Sequence, residues 1–294
     1  MWQRILVPLD GSDLAELALP YAEELAAAFN SEVVLLYISE PAESQYLHMH
    51  QLYIEDIAGQ MRKRVKKVSP LLLSGRPAEG IIDYAEKNDV SLIIITSHGR
   101  SGITSWLVGS IASKVLHAIR LPLLLIRATK PRQKIPGKYL LNKILLPLDG
   151  SKAGETAVPY VGELMSRLES EITLFGVVPA GQHIRSIGGL DFILFPEQQL
   201  EIFKKEAREY LNKVYRRLKR QKGKVKVELK VSDKASDIAR EIINYAEEND
   251  ISLIAISSHG HSGIERWVFG STANKVVQAS NTPLLVVRAA GEKA

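Results

Sequence analysis

The sequence contains no cysteine in 294 residues, and aromatic residues make up only 6% of it. Disulfide bridges, thiolate metal sites and thiol catalysis are therefore excluded. No apolar run approaches the roughly 20 residues that a membrane-spanning helix needs, so we expect no membrane partner. No signal-peptide pattern precedes the first apolar run, and these absences together predict a cytoplasmic protein.

The formal net charge is +5, and the excess of basic residues is concentrated at 62–67 and 216–226. Such runs occur in nucleic-acid binding patches or at the solvated ends of helices. No aromatic residues interleave with these charges, which favours helix ends over a nucleic-acid partner. We therefore predict a basic helix that ends near Lys67 and a charged helix from Glu197 to about Lys222.

Much of the sequence is an internal repeat. The segment Pro8-Leu9-Asp10-Gly11-Ser12 recurs as Pro147-Leu148-Asp149-Gly150-Ser151, at an offset of 139 residues (149 − 10). Further along the offset is 161 (260 − 99), so the second copy contains an insertion of 22 residues (161 − 139). A repeat this long indicates two domains from a duplication rather than a solenoid. We predict a first domain at 1–128, a linker at 129–142 and a second domain at 143–290.

Within each copy, apolar strand patterns alternate with helical patterns. In the first copy the predicted elements are strands at 4–9, 32–38 and 70–73, a helix to about Phe29 that kinks at Pro20, and a helix at 78–88. In the second copy the insertion predicts a loop that contains Gly188 and Gly189. The alternation predicts an α/β fold of two tandem doubly wound units, each a mostly parallel sheet with helices on both faces.

A loop rich in glycine and serine follows the fourth apolar run of each copy. In the first copy Gly99, Gly102 and Gly109 allow ligands to approach the backbone closely, and a helix begins at Ser110. Free N–H groups and a helix N-terminus favour an anion, so the pattern predicts a phosphate site. The loop lacks the Gly-Lys-Ser/Thr ending of the P-loop, and its spacing alone does not specify adenine.

The candidate binding residues each have a structural alternative. Asp10 and Asp149 end the first strand of their copies, where they would hold ribose hydroxyls or a metal that accompanies the phosphates. They would otherwise only stabilise the turn that follows. Likewise, Gly109 and Ser110 would either bind phosphate or form a tight turn with a helix cap.

The histidines and one lysine are weaker candidates. His98 and His259 recur in the loops, where a backbone hydrogen bond or a packing role is favoured over acid–base chemistry, because no carboxylate or nucleophile is visibly paired with them. The segment His48-Met49-His50 has a metal-like composition but is typical of a surface loop, so we predict no metal site of its own. Lys114, one turn into the helix, would reach the anion or stay solvated.

With these motifs, the sequence resembles the universal stress protein family in its tandem two-domain form. The family's nucleotide signature is Gly, two residues, Gly, nine residues, then Gly-Ser or Gly-Thr. Here the spacing holds from Gly99 to Gly109-Ser110 and from Gly260 to Gly270-Ser271, while Thr96 and Ser257 stand in place of the first glycine. The resemblance covers nearly the whole chain and implies a five-stranded α/β unit of the adenine nucleotide alpha hydrolase-like type in each copy.

The resemblance also implies positions for ATP. Adenine would lie against the main chain at Pro8, Asp10 and Ile38 in the first copy, and at Pro147, Asp149 and Val177 in the second. The triphosphate of the first copy would lie on Ser97, His98, Gly99, Arg100, Ser101, Gly102, Gly109, Ser110 and Ile111. That of the second copy would lie on Ser258, His259, Gly260, His261, Ser262, Gly263, Gly270, Ser271 and Thr272.

The expected function is that of an adenine-nucleotide binding regulatory module in the stress response, with ATP, AMP or ADP as ligand and Mg²⁺ accompanying the nucleotide. Two alternatives remain open: a dimerisation scaffold that binds no nucleotide, and a slow ATP hydrolase, for which no catalytic residue is assigned. The resemblance further implies pairing of the two domains within the chain through their last strands, and a homodimer as a possible assembly.

Overall fold

The computed structural model describes residues 1–98, 108–127, 139–186, 189–221, 223–232, 238–258 and 270–288, with the backbone alone for 182–186 and 189–193. The chain divides into two compact units. The first consists of Met1–Leu140 with Pro283–Arg288, and the second of Leu141–Thr282 with Ala289–Ala294. The helices in the described part of the chain are all too short or too polar to cross a membrane.

Strands and helices alternate in the first unit. Its elements are β1 (Arg4–Leu9), α1 (Asp13–Glu16), α2 (Leu19–Phe29), β2 (Glu32–Ser39), a 3₁₀ helix (Pro41–Tyr46), α3 (Leu47–Met61), β3 (Lys67–Ser74), α4 (Pro77–Lys87), β4 (Leu92–Thr96), α5 (Ser110–Ala118) and β5 (Leu123–Ile126).

The second part of the chain repeats this order with one added hairpin. Its elements are β6 (Lys143–Pro147), a 3₁₀ helix (Gly154–Ala157), α6 (Val158–Leu168), β7 (Glu171–Pro179), the hairpin strands β8 (Gly181–Ser186) and β9 (Gly189–Leu194), α7 (Glu197–Leu218), β10 (Lys224–Ser232), α8 (Ile238–Glu248), β11 (Leu253–Ser257), α9 (Ser271–Ala279) and β12 (Leu284–Val287).

The sheet of the first unit has the order β3-β2-β1-β4-β5-β12. Its first five strands are parallel, and β12 pairs antiparallel with β5 in the register Leu285 to Leu124. In the second unit, β10, β7, β6 and β11 are neighbours in that order and parallel. The predicted doubly wound α/β architecture is confirmed.

The strand order reverses beside the first strand of each copy. β1 lies between β2 and β4, and β6 lies between β7 and β11, so consecutive crossovers leave in opposite directions from these strands. β4 and β11 are buried along their whole length, because apolar residues that fill both faces of a central strand are covered by helices on each side. A crevice for ligands is expected at the carboxyl ends of the strands where the order reverses.

Several predicted helix boundaries are wrong for identifiable reasons. Pro20 does not kink a long helix but lies in the first turn of α2, after α1 has ended at Glu16. A proline is tolerated there because the first N–H groups of a helix have no acceptor within the helix. The predicted basic helix to Lys67 ends already at Met61, and Lys67 begins β3.

The insertion also differs from its prediction. The expected loop is largely the hairpin β8–β9, and the charged helix α7 ends at Leu218 rather than near Lys222. The segment His48-Met49-His50 lies in α3 rather than in a loop. Residues 128–138, which make up most of the predicted linker, lie outside the described residues.

Candidate functional site

A cavity of about 240 Å³ opens at the carboxyl ends of β1 and β4 in the first unit. Of the predicted binding residues, Pro8, Asp10, Ile38, Ser97, His98, Gly109, Ser110 and Ile111 line it. The volume lies slightly below the roughly 300–1,000 Å³ of typical small-molecule sites. The strand ends and the start of α5 thus meet around one cavity, where the switch in strand order predicts a ligand.

The N-terminus of α5 forms one side of this cavity. Gly109 donates its N–H to the carbonyl oxygen of Ser97 (2.7 Å), and its own carbonyl oxygen accepts the N–H of Ser113 (2.8 Å). No side chain caps the helix, so the N–H groups of its first turn have no acceptor within α5. The positive end of the helix dipole at this point stabilises an anion.

Gly109 is closely surrounded at this junction. A Cβ atom placed on it would lie 3.0 Å from the carbonyl oxygen of Ser97 and 3.8 Å from the Cα atom of His98. A glycine here therefore lets the loop and the helix start approach each other without displacing the backbone.

Asp10 organises the turn after β1. Its Oδ1 atom accepts hydrogen bonds from the backbone N–H of Ser12 (3.0 Å) and from the Ser12 hydroxyl (2.6 Å). The Ser12 hydroxyl oxygen in turn accepts the N–H of Ala15 and caps α1. The turn-stabilising alternative for Asp10 is thus observed, while the carboxylate also lines the cavity.

The residues at the end of β4 are buried and linked to one another. The Thr96 hydroxyl donates to the carbonyl oxygen of His98 (2.8 Å), and the Ser97 Oγ atom lies 3.2 Å from Nδ1 of His98. Thr96 is the last residue of β4, and its φ is not positive. The backbone at this signature position therefore does not require the freedom of a glycine.

The second unit has a matching cavity of about 320 Å³. It is lined by Pro147, Asp149, Val177, Gly270, Ser271 and Thr272 among the predicted residues. Gly270 donates its N–H to the carbonyl oxygen of Ser258 (2.9 Å), and α9 also begins without a side-chain cap. Oδ1 of Asp149 accepts both the N–H and the hydroxyl of Ser151, so the turn after the first strand and the start of the last helix have the same hydrogen bonds in both copies.

The sequence pattern of the universal stress protein family matches residues 1–127 and 141–288, which is nearly the whole chain. The chain belongs to the universal stress protein family.

Individual relatives agree with this assignment. Universal stress protein MJ0531 of Methanocaldococcus jannaschii is 28% identical over 144 residues, covering 44% of this chain and 85% of the relative. Universal stress protein Slr1230 of Synechocystis is 22% identical and covers 97% of this chain and 100% of the relative. The crystal structure of PA1789 from Pseudomonas aeruginosa, described as functionally unknown, superimposes with a TM-score of 0.71 and 17% identity over 98% of this chain and 93% of its own. At that identity the superposition shows the fold alone.

Some predicted positions of this universal stress protein are not placed at the cavities. Gly99, Arg100, Ser101 and Gly102 of the first copy, and His259, Gly260, His261, Ser262 and Gly263 of the second, lie outside the described residues. Lys114 is exposed and is not among the residues that line the first cavity.

Other residues that line the first cavity were not predicted from the sequence. Glu40 and Glu43 lie on it beside Tyr37, Pro77 and Ile81. The predicted binding residues of the second strand ended at Ile38. The two carboxylates and the proline that follow the end of this strand could have indicated that the cavity extends further along the chain. In the second copy Pro179 occupies the position of Glu40 (40 + 139), so the first cavity is the more acidic of the two.

His50 of α3 has a structural role. The ring of His50 stacks on Tyr37 with 4.4 Å between the ring centroids, and its Nδ1 atom lies 3.2 Å from the Ser39 hydroxyl. Within the part of the chain that the structure describes, no group of three or more His, Cys, Asp or Glu side chains is arranged to hold a metal ion.

Proposed function

We propose that this universal stress protein is an adenine-nucleotide binding regulatory module in the stress response, with ATP, AMP or ADP in each of its two cavities. The proposal rests on one repeated observation: α5 and α9 each begin without a side-chain cap at the wall of a cavity. Because both helices are preceded by a glycine and begin with a serine, each offers free N–H groups and a hydroxyl to phosphate oxygens.

The remaining walls suit the rest of a nucleotide. Apolar residues such as Pro8, Ile38 and Ile81 form one side of the first cavity, where an adenine ring would lie against side chains and main chain. Asp10 and Asp149 line the two cavities, where in this proposal their carboxylates accept ribose hydroxyls or contact a Mg²⁺ ion that accompanies the phosphates. The loops at 97–102 and 258–263 complete the phosphate sites in this proposal.

The proposal favours binding over turnover. Hydrolysis needs a base or a group that orients the attacking water, and Oδ1 of Asp10 is already held by two hydrogen bonds to Ser12.

The proposed domains are 1–128 and 143–290, joined by the linker 129–142. Antiparallel pairing of β12 with β5 supports the further proposal that the two sequence copies pair through their last strands.

Isothermal titration calorimetry with ATP on Gly109→Val and Gly270→Val tests the proposal. The side chain at 109 would meet the Ser97 carbonyl and His98, which displaces the loop from the start of α5 and weakens the first site by at least about tenfold. The wild-type protein is expected to bind one nucleotide per cavity, and each single variant is expected to lose one of them.

The two variants serve as controls for each other, since each leaves the other cavity intact, and circular dichroism checks that both remain folded. Absence of heat with ATP, ADP and AMP at millimolar concentration in the wild-type protein would reject nucleotide binding and leave the dimerisation scaffold. Unchanged binding in both variants would reject the placement of the phosphates.

A further inference from the structure

The second unit contains another cavity, of about 530 Å³, at the end of β7 and beside α7. It shares only Leu148, Asp149 and Val177 with the candidate nucleotide cavity. Its other walls include Gly176, Phe195, Phe203, Glu206, Ala207 and Tyr210.

Comparison of the two copies explains why this space exists. Gly176 of β7 occupies the position of Tyr37 in β2 (37 + 139). On the neighbouring helix, Tyr210 of α7 occupies the position of Tyr53 of α3. Ala207 precedes Tyr210 by three residues, as His50 precedes Tyr53, so Ala207 occupies the position of His50. In the first unit Tyr37 and His50 are a stacked pair of rings. The second copy replaces both rings, one by a hydrogen atom and the other by a methyl group. The side chains of Leu211 and Leu229 pack against Gly176, within 3.0 Å of where a Cβ atom would stand, so the open space lies beside Ala207, at the position of the His50 ring.

The alignment of the two tyrosines has independent support. The Tyr53 hydroxyl donates to Oε1 of Glu16 (3.0 Å), and the residue equivalent to Glu16 is Glu155 (16 + 139). Burial and the nearby charge of Glu155 raise the pKa of Tyr210, as burial and Glu16 raise the pKa of Tyr53. The same Tyr and Glu therefore face each other in both copies.

The insertion supplies aromatic walls to the space. Phe195 follows the hairpin β8–β9, whose base is closed by the hydrogen bond from its N–H to the carbonyl oxygen of Ala180 (2.8 Å). Its ring meets that of Phe203 edge to face, with 5.2 Å between centroids. Aromatic faces and edges pack favourably against another planar ring.

Polar groups that line the cavity indicate which functional groups a bound planar ligand should have. The Tyr210 hydroxyl is buried and faces Glu155, which also pairs with Arg217, so its acceptor is supplied by the protein. The carboxylates of Asp149 and Glu206 also line the cavity, and they favour a donor or a positive charge on the same ligand.

We propose that this cavity, defined by Gly176, Ala207, Phe195, Phe203 and Tyr210, is a second binding site that takes a small planar heteroaromatic molecule with a hydrogen-bond donor or a positive charge. The ligand fills the space beside Ala207, where the ring of His50 stands in the first copy. An apolar cavity opened by removal of a side chain accepts a ring of matching size, as the benzene-binding cavity of a T4 lysozyme variant illustrates.

The probe for the test is 4-methylimidazole, which has the ring of the missing histidine, and cyclohexanol is the non-planar comparison. Both are added at millimolar concentration to the full ¹⁵N-labelled chain, and the backbone amides of Gly176, Phe195 and Ala207 are followed by NMR. We expect saturable shifts of these amides with 4-methylimidazole and little change with cyclohexanol.

Ala207→His refills the space with the side chain of the first copy, and Ala207→Ser leaves it open. The shifts should disappear in the histidine variant and persist in the serine variant, while the ATP calorimetry of both stays as in the wild type, because position 207 does not line the nucleotide cavity. Absence of saturable shifts in the wild-type protein, or equal shifts in the histidine variant, would overturn the proposal. If the histidine variant unfolds, Ala207→Phe provides a second filling substitution with the same expected loss.

Discussion

At the scale of single residues, Glu32 shows how neighbours set the charge of a side chain at the start of an inner strand. Its carboxylate accepts from Nε of Arg4 (3.0 Å) and from the Ser69 hydroxyl (2.9 Å). Burial by itself raises the pKa of Glu32, but the hydrogen bonds from Ser69 and Arg4 and the charges of Arg4 and Lys67 outweigh it, so the pKa is lowered. The ionised form thus stabilises the fold.

We predict that Glu32→Gln lowers the free energy of unfolding by about 0.5–1 kcal/mol at neutral pH, a modest value because the ion pair is partly exposed. A lowered folded-state pKa stabilises the protein above the unfolded pKa of about 4.3, and this stability is lost as the pH falls through the folded value. Urea unfolding at pH 7 and in acid should therefore show a difference between wild type and variant that shrinks in acid.

Asp83→Asn is the matched control, because its pair with Lys87 lies on the surface and its removal should leave stability unchanged. An equal effect of Glu32→Gln at both pH values would contradict the assigned role of the charge.

The same scale shows what the sequence could and could not predict about the site. That Asp10 and Gly109 line the cavity was predictable, because they stand at the end of β1 and at the start of α5; their contact with a ligand stays a prediction. The partner of His50 was not predictable, since its ring is held by Tyr37, which belongs to a strand rather than to the same helix. A pairing across elements is fixed by packing, and no local pattern in the chain encodes it.

At the scale of elements, the existence of nearly every strand and helix was predictable, and their ends were less so. The basic run at 62–67 was assigned to a helix because charge density is typical of solvated helix ends. Charges are equally tolerated where α3 stops and an edge strand begins, and β3 lies at the edge of its sheet. Composition therefore predicted solvent exposure correctly but could not distinguish the helix from the strand.

A turn between elements offers a clean test of packing. Gly223, between α7 and β10, and Gly75, between β3 and α4, have nearly equal positive φ values of 142° and 146°. A Cβ atom on Gly223 would collide with the buried side chain of Met165, whereas one on Gly75 would meet nothing within 4 Å. Only backbone strain is shared by the two positions.

We predict that Gly75→Ala destabilises the protein by about 1–3 kcal/mol through strain alone. Gly223→Ala should cost about 1–3 kcal/mol more, because Met165 must move within a filled core. Chemical denaturation of the two variants side by side measures the difference. Equal losses would mean that Met165 adapts without cost and that the packing argument for this turn is wrong.

At the scale of the whole molecule, the duplication made the architecture predictable. Two similar series of strands and helices must build two similar sheets, and the polar ends of their first and fourth strands must meet at the same edge. Differences between the copies were not predictable in the same way. The space beside Ala207 depends on residues of β7, of α7 and of the segment after the hairpin, which come together only when these elements are placed side by side.

The placement of β12 does not follow from the repeat alone, although the resemblance to the family implies pairing through the last strands. In sequence it closes the second copy, yet Pro283–Arg288 is part of the first compact unit, with Leu285 opposite Leu124 on β5. Leu284, Leu285 and Val286 are at most 2% exposed, and at about 1.5–3 kcal/mol for each buried side chain their burial contributes roughly 4–9 kcal/mol. That amount is comparable to the whole stability of a typical domain, about 5–15 kcal/mol.

We therefore predict that a chain ending at Thr282 loses most of the stability of its first unit. The unpaired edge of β5, with the apolar sequence Leu123–Ile126, would then add to the strands of other chains, since exposed apolar edges favour such pairing. Hydrogen exchange should become faster at the β5 amides, and light scattering should report concentration-dependent association.

A chain ending at Arg288, which keeps β12, is the control and should behave as the full protein does. If the shorter chain stays monomeric with protected β5 amides, the pairing of β12 with β5 is not what stabilises this unit, and its sheet must be held by the parallel strands alone.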